Sequence, residues 1–235
     1  MKNYFEMKNI RVIGLFSVAI ALFYLIVILT EGFYRYTIIE YLATLFNLIM
    51  FTLIFLFITR KIVIRGISQM LFFLAFQLYA WIAFLLLLGI DVQQLWFGLF
   101  DHQFERNFLS MINVIPFRTL ITQFSGFPSV NIATHQIIGN IIVLAPFCFF
   151  LLYFGRITFK SAFLIIFLYS LSIEVLQFLS DLLFFQARAM DIDDVILNTA
   201  GVALGILAYV FYLGLAALCR RFVRKESPIK GNEAN

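Results

Sequence analysis

The sequence predicts an all-α integral membrane protein, a polytopic bundle of about six transmembrane helices with an outer amphipathic loop segment. Three observations carry that fold class. Hydrophobic residues make up 63% of the 235 and charged residues only 13%, with a mean hydropathy of +0.99, well above the roughly 45–50% apolar content of soluble domains. Apolar windows of about 20 residues, enough to cross a hydrocarbon core of about 30 Å, recur along the chain. Lys and Arg gather in alternate connections between those windows.

The spans are placed near residues 12–29, 38–58, 67–90, 137–154, 161–180 and 195–218. The first follows Lys2, Lys8 and Arg11 like a signal peptide, but it is 18 residues long and lacks a small-residue cleavage pattern, so it reads as a retained helix. Glu40 and Asn47 enter the second span, where Glu40 snorkels to an interface. Between the third and fourth spans lies a segment, 91–136, too polar to cross and too apolar to be a free linker. It reads as a lid on the outer membrane surface, broken by Pro116 and Pro128. Pro146 predicts a kink within the fourth span.

Thirteen of the seventeen Lys and Arg residues fall at the N-terminus, in the second and fourth connections and in the tail, and the other four are Arg35, Arg106, Arg118 and Arg188. The positive-inside rule then predicts a multi-pass membrane protein with both termini cytoplasmic and the acidic loops outside, and the Ile- and Phe-rich composition, which fits an AT-rich bacterial genome, points to a bacterial plasma membrane. Residues 1–66 read as two additional N-terminal transmembrane helices, 67–219 as the main membrane domain, and 220–235 as a basic, disordered cytoplasmic tail. The bilayer is the expected partner. Nucleic-acid binding is not expected, and the oligomeric state is not specified by the sequence. Cys148 and Cys219 form no disulfide or metal framework, and His102 and His135 lack ligand partners at metal spacing.

The polar residues in the spans carry the functional expectation. A carboxylate in hydrocarbon costs roughly 2.5–3.5 kcal/mol on insertion scales, so Glu174 needs a partner or a proton. Gln177 follows one turn later on the same face. "DIDDVILNTAGVALG" places Asp194, Asn198, Gly201 and Gly205 on one stripe of the sixth span, the glycines allowing close helix approach. Asn140 enters the fourth span at a similar depth. These residues predict an outward-facing polar pocket of Asn140, Glu174, Gln177 and Asn198, roofed by Arg188, Asp191, Asp193 and Asp194. Each has a plainer reading: an aspartate at a helix start caps it, an asparagine is interhelical glue, and Gly201, Gly205 and Pro146 serve packing.

Three ordered blocks then resemble the VanZ-like family: "NVIPFRT" (113–119), "IIGNIIVLAPF" (137–147), and "SIEVLQF" followed by "RAMDIDDVILNTAGVALG" (172–205). The resemblance covers about residues 75–215. It implies that Asn113, Arg118, Asn140, Glu174, Gln177, Arg188, Asp191, Asp194 and Asn198 are motif positions. Cys148 departs from the family pattern, where a glycine usually follows the Pro-containing turn. The family is associated with low-level resistance to teicoplanin-type glycopeptides, which implies binding or modification of a cell-surface or lipid-linked envelope component. No cofactor is predicted. A lipid or lipid-phosphate enzyme using a divalent cation on Asp191, Asp193 and Asp194 is the alternative, although no catalytic motif accompanies these acids. A small transporter or flippase using Glu174 is the third.

Overall fold

The computed structural model describes residues 7–31, 38–91, 94–95, 98, 112–125, 130–186 and 188–225. Pro128, His102, the tail beyond 225 and most of the expected lid lie outside the described residues.

The chain opens with a short strand, β1 (Met7–Lys8), and continues into α1 (Asn9–Glu31), α2 (Ile38–Thr59), β2 (Val63–Ile64) and α3 (Ile67–Leu88). Next come β3 (Ile112–Asn113), α4 (Arg118–Phe124), α5 (Val130–Val143), α6 (Ala145–Tyr153) and α7 (Phe159–Phe184). β4 (Met190–Asp191) and α8 (Ile192–Lys225) complete it. Among the described residues five stretches are long and apolar enough to cross a membrane: Glu40–Thr59, Ile67–Leu88, Thr134–Tyr153, Phe159–Phe184 and Ile192–Phe222. A shorter apolar stretch, Arg11–Phe23, lies in α1. The all-α membrane class stands, as five such spans with this shorter helix before them.

Two small β pairs mark opposite ends of the bundle. β1 pairs antiparallel with β2, Met7 facing Ile64 and Lys8 facing Val63. β3 pairs parallel with β4, Ile112 facing Met190 and Asn113 facing Asp191. β2 precedes α3, whereas the chain beside β4 is bonded to the C-terminal carbonyls of α3. The 22 residues of α3, about 33 Å at 1.5 Å each, separate the two ends. Arg60, Lys61, Arg65, Arg156 and Lys160 sit at the β2 end, while Asp191, Asp193 and Asp194 sit at the other.

Because lipid is as apolar as leucine, helix association here relies on close packing rather than on removal from water. One core layer is aromatic: Phe51 and Phe55 of α2 meet Phe73, Phe76, Trp81 and Phe84 of α3. Phe76 stacks on Phe150 of α6 with ring centres 4.8 Å apart, joining this layer to the rest. The second layer packs α8 against α5, α6 and α7 around Leu144, Cys148, Leu151, Ile166 and Val202. Leu15, Leu53, Leu86, Phe163, Leu207 and Phe211 are among the large apolar side chains left exposed, as lipid-facing positions require.

The fourth expected span is a broken helix. α5 ends at Val143 and α6 begins at Ala145, with Pro146 in the first turn of α6, where its missing N–H costs nothing. Its fixed ring prevents continuation of α5. α7 starts on a capping box, Thr158 accepting from Ser161 N while Thr158 N donates to Ser161 Oγ. The expected exit of this span near Ser180 is replaced by an unbroken helix to Phe184, closed by Phe185 in the left-handed region at φ 56°.

Candidate functional site

Glu174 lies ten residues before the end of α7, about 15 Å along its axis. It is reached because the connection after Phe185 folds back down beside the helix. Asp191 N donates to Glu174 Oε2 at 3.0 Å, with Glu174 only 1% exposed. Irregular backbone at this depth is tolerated because it is enclosed by protein.

Two sets of bonds hold that connection. On one side Gln186 donates through Nε2 to Asp91 O (3.0 Å) and accepts from Asp91 N (2.6 Å). Arg188 donates to the carbonyls of Leu86, Leu87 and Gly89 (3.2 Å for the first and last), and Gln177 donates to Leu87 O at 3.0 Å. The last carbonyls of α3 are orphans by helix geometry, and a guanidinium fork suits them. Burial draws the Arg188 pKa downward, partly offset by the nearby Asp91 carboxylate. Gln177 and Arg188 thus close the end of α3 instead of joining the acids. Asn47 adds to the same junction, donating to Ile90 O (3.1 Å) and accepting from Ile90 N (2.9 Å).

On the other side the aspartates organise three helix ends. Asp191 accepts from Asp193 N at 2.9 Å, the bond of an N-cap to α8. The same Oδ1 accepts from Asn113 Nδ2 at 2.9 Å. Asn113 also donates to Thr119 at 3.0 Å and accepts from Ile115 N, so it shapes the turn into α4. Asp193 reaches from the first turn of α8 to the start of α4, where Phe117 N donates to Oδ1 at 2.5 Å and Leu120 N to Oδ2 at 3.1 Å. Phe117 is left-handed at φ 66° and has no capping side chain of its own, so a residue 76 positions away caps α4. Asp194 accepts from Asn140 Nδ2, tying α8 to α5.

Below this level α8 approaches the break between α5 and α6 very closely. A Cβ at Gly201 would lie 2.1 Å from Ile141 O, and one at Gly205 would lie 2.6 Å from Ala145 O and 2.7 Å from Cys148 Cβ. Cys148, fully buried, fills the space Gly205 leaves open. The departure from the family pattern therefore does not loosen the contact.

Asn113, Asn140, Glu174, Asp191, Asp193, Asp194 and Asn198 come together at this end. Arg118 opens α4 but is exposed. Asn198 is 1% exposed and its Oδ1 has no hydrogen-bond partner among the described residues. The bonds above use Oδ1 of Asp191, Oδ1 of Asp194, Oε2 of Glu174 and both oxygens of Asp193. None of the four carboxylates has an ion-pair partner among the described residues. Those residues include no group of three acidic, cysteine or histidine side chains arranged to hold a metal ion. Sequence reasoning missed Gln186, Thr119 and Asn47 as organisers. Thr119 closes the 113–119 stretch, and Gln186, an amide two residues before Arg188, was the available signal for the α3 junction.

Residues 99–214 match the family model described as VanZ/LLP1. No curated protein and no solved structure matches the chain.

Proposed function

The chain belongs to the VanZ-like family of membrane proteins, and from that premise we propose that its acid and amide cluster is an outward-facing recognition site for a lipid-linked envelope component, through which the protein lowers sensitivity to teicoplanin-type glycopeptides. The outward direction follows from the basic residues at the opposite end. The observation that carries the reading is the set of uncommitted acceptors: Asn198 Oδ1 is buried without a partner among the described residues, one turn from Asp194 on α8, and the carboxylates' bonds to described residues use one oxygen in three of four cases.

Carboxylates accept and do not donate unless protonated. The complementary group is therefore rich in donors: hydroxyls, amide N–H groups or an ammonium. Buried acceptors left unpaired cost about 1–3 kcal/mol each, so a donor-bearing ligand has a clear source of affinity. Val114, Ile115, Phe117, Ile121 and Phe124 are exposed on the turn and helix over the cluster, an apolar surface suited to the bilayer interface.

The test compares teicoplanin sensitivity with and without expression, and with Glu174→Gln and Asn198→Leu, while lipids co-purifying with each form are measured by mass spectrometry. Reduced sensitivity with the wild type, lost in both variants together with one co-purifying species, supports the reading. Unchanged sensitivity with the protein verified in the membrane removes the resistance role.

One observation favours a second reading, passage of a proton or solute along α7. Ser170, one turn deeper than Glu174, is fully buried with an unpartnered Oγ, and both amide atoms of fully buried Gln77 lack partners among the described residues. Proton-driven uptake that survives Glu174→Gln would exclude a relay through this carboxylate.

A further inference from the structure

On the face of α7 that points away from Glu174, two hollows of about 280 and 210 Å³ lie between α2, α3 and α7. They share Ile54, Phe84, Leu88 and Leu176, so they form one groove. On α2 the groove runs from Phe46 to Ile58, about 18 Å at 1.5 Å per residue. That is close to one leaflet's half of a hydrocarbon core of about 30 Å. Its walls are almost wholly hydrocarbon and aromatic, which matches the chemistry of an extended acyl chain and of little else inside a bilayer.

The end of the groove at β2 is different in charge. Phe57 lines it, and the Arg60 guanidinium lies 4.6 Å from the centre of that ring. Tyr169 lines it from α7, within electrostatic reach of Arg156. Ile157, next to Arg156, packs in the same cluster as Ile58 and Tyr169. The Nε of Arg156 is buried with no acceptor among the described residues. A buried guanidinium N–H without a partner is costly and calls for an oxyanion. Lys61, Arg65 and Lys160 are exposed at the same end, and neither 59–66 nor 154–160 contains an acidic residue.

We infer that this groove binds one acyl chain of an anionic phospholipid from the leaflet at the basic end, with the headgroup phosphate held between Arg60 and Arg156. The groove is distinct from the acid cluster: it lies on the other face of α7, and its mouth beside Phe57 and Tyr169 has the opposite charge, while its far end reaches Asn47, Ile90 and Phe184 at the α3 junction. Anionic lipids and juxtamembrane basic residues attract each other in general. Here a chain-length groove close to the half-buried Arg156, whose Nε has no acceptor among the described residues, turns that attraction into a defined site.

The experiment uses the full chain reconstituted in vesicles of equal phosphatidylglycerol and phosphatidylcholine, extracted in mild detergent, with retained lipids counted by native mass spectrometry. The wild type retains phosphatidylglycerol in excess. Arg60→Gln and Arg156→Gln each lower that retention about five-fold, the scale of one basic residue near a membrane surface, without changing phosphatidylcholine. Ala83→Phe, which fills the groove, lowers retention of both lipids. Arg118→Gln, at the opposite end, leaves it unchanged. Because Arg60 is exposed, its variant remains a test even if Arg156→Gln fails to fold. Retention in the one-to-one ratio of the vesicles overturns the inference, as does a preference unaltered by Arg60→Gln. Full phosphatidylglycerol retention by Ala83→Phe overturns it too, since the headgroup alone would then explain binding.

Discussion

Replacing Asp193 by Ala separates what this carboxylate does for the fold from what the cluster does for a ligand. Both oxygens accept from backbone N–H groups of the turn into α4, Phe117 N at 2.5 Å and Leu120 N at 3.1 Å, and the residue is 1% exposed. Hydrogen bonds to a charged group contribute about 1.5–3 kcal/mol each, which sets a ceiling of about 3–6 kcal/mol, while cap substitutions measured on ordinary helices cost about 0.5–2 kcal/mol. α4 has only seven residues and three of its apolar neighbours face outward, so little else resists its release. The expected local cost is about 2–4 kcal/mol, equivalent to roughly 30- to 1,000-fold faster amide exchange at a site that opens locally. Hydrogen exchange of Phe117 and Leu120 in lipid nanodiscs reads this directly. Asp193→Asn, which keeps one acceptor but sets an NH2 group against an N–H donor, falls between. Exchange at both amides within two-fold of wild type in Asp193→Ala would refute the capping role and return Asp193 to the set of free acceptors.

Gly201→Ala is expected to destabilise the bundle by about 1–3 kcal/mol, because the added Cβ meets Ile141 O at 2.1 Å; an unchanged melting midpoint in detergent would contradict the close approach of α8 to α5. Arg188→Lys loses the fork that spans the carbonyls of Leu86, Leu87 and Gly89, so thermal unfolding should show a loss of about 1–2 kcal/mol, larger for Arg188→Met. Gly205→Ala should be partly rescued by Cys148→Gly, since one of the two clashes is with Cys148 Cβ and the other with Ala145 O. A double-mutant cycle should give a coupling of about 0.5–3 kcal/mol, and full additivity would mean that the two residues do not touch.

Much of this architecture is written in local pattern. Apolar windows locate the spans, Pro146 locates the break between α5 and α6, and the i, i+7, i+11 spacing of Asp194, Gly201 and Gly205 places the acid and both glycines on one face of α8. Asn140 meeting Asp194 is legible in the same way, from depth and helix face. The destinations of Gln177 and Arg188 were not. Sharing a helix face with Glu174 says nothing about which neighbour approaches, and the return of the 185–191 connection into the bundle depends on Gln186 gripping Asp91, a contact across 95 residues. The structure also divides the aspartates by partner, which spacing alone cannot do: Asp191 caps its own helix, Asp193 caps another, and Asp194 holds a neighbouring span.

That division bears on what the cluster can bind. The N-termini of α4 and α8 converge on the acids, and each helix end supplies at most about half a positive charge. Against up to four carboxylates this is an incomplete balance: Arg188 is committed to the carbonyls of α3, which leaves Arg118, exposed at the start of α4. A phosphate inside the cluster would therefore meet acceptors and negative charge, with the exposed Arg118 as the guanidinium at this end among the described residues. Donor groups of a sugar, peptide or amine meet the reverse situation. At the other end of the bundle the charges are inverted, with Arg156 Nε a buried donor that has no acceptor among the described residues. The groove's charged mouth and the acid cluster lie toward opposite ends of α3, while the groove's apolar walls reach Leu88 and Ile90 at the α3 junction, so it is the charge at each mouth that separates their ligands. The acid cluster and the basic groove are thus expected to take different molecules, and loss of one by mutation should leave occupancy of the other intact.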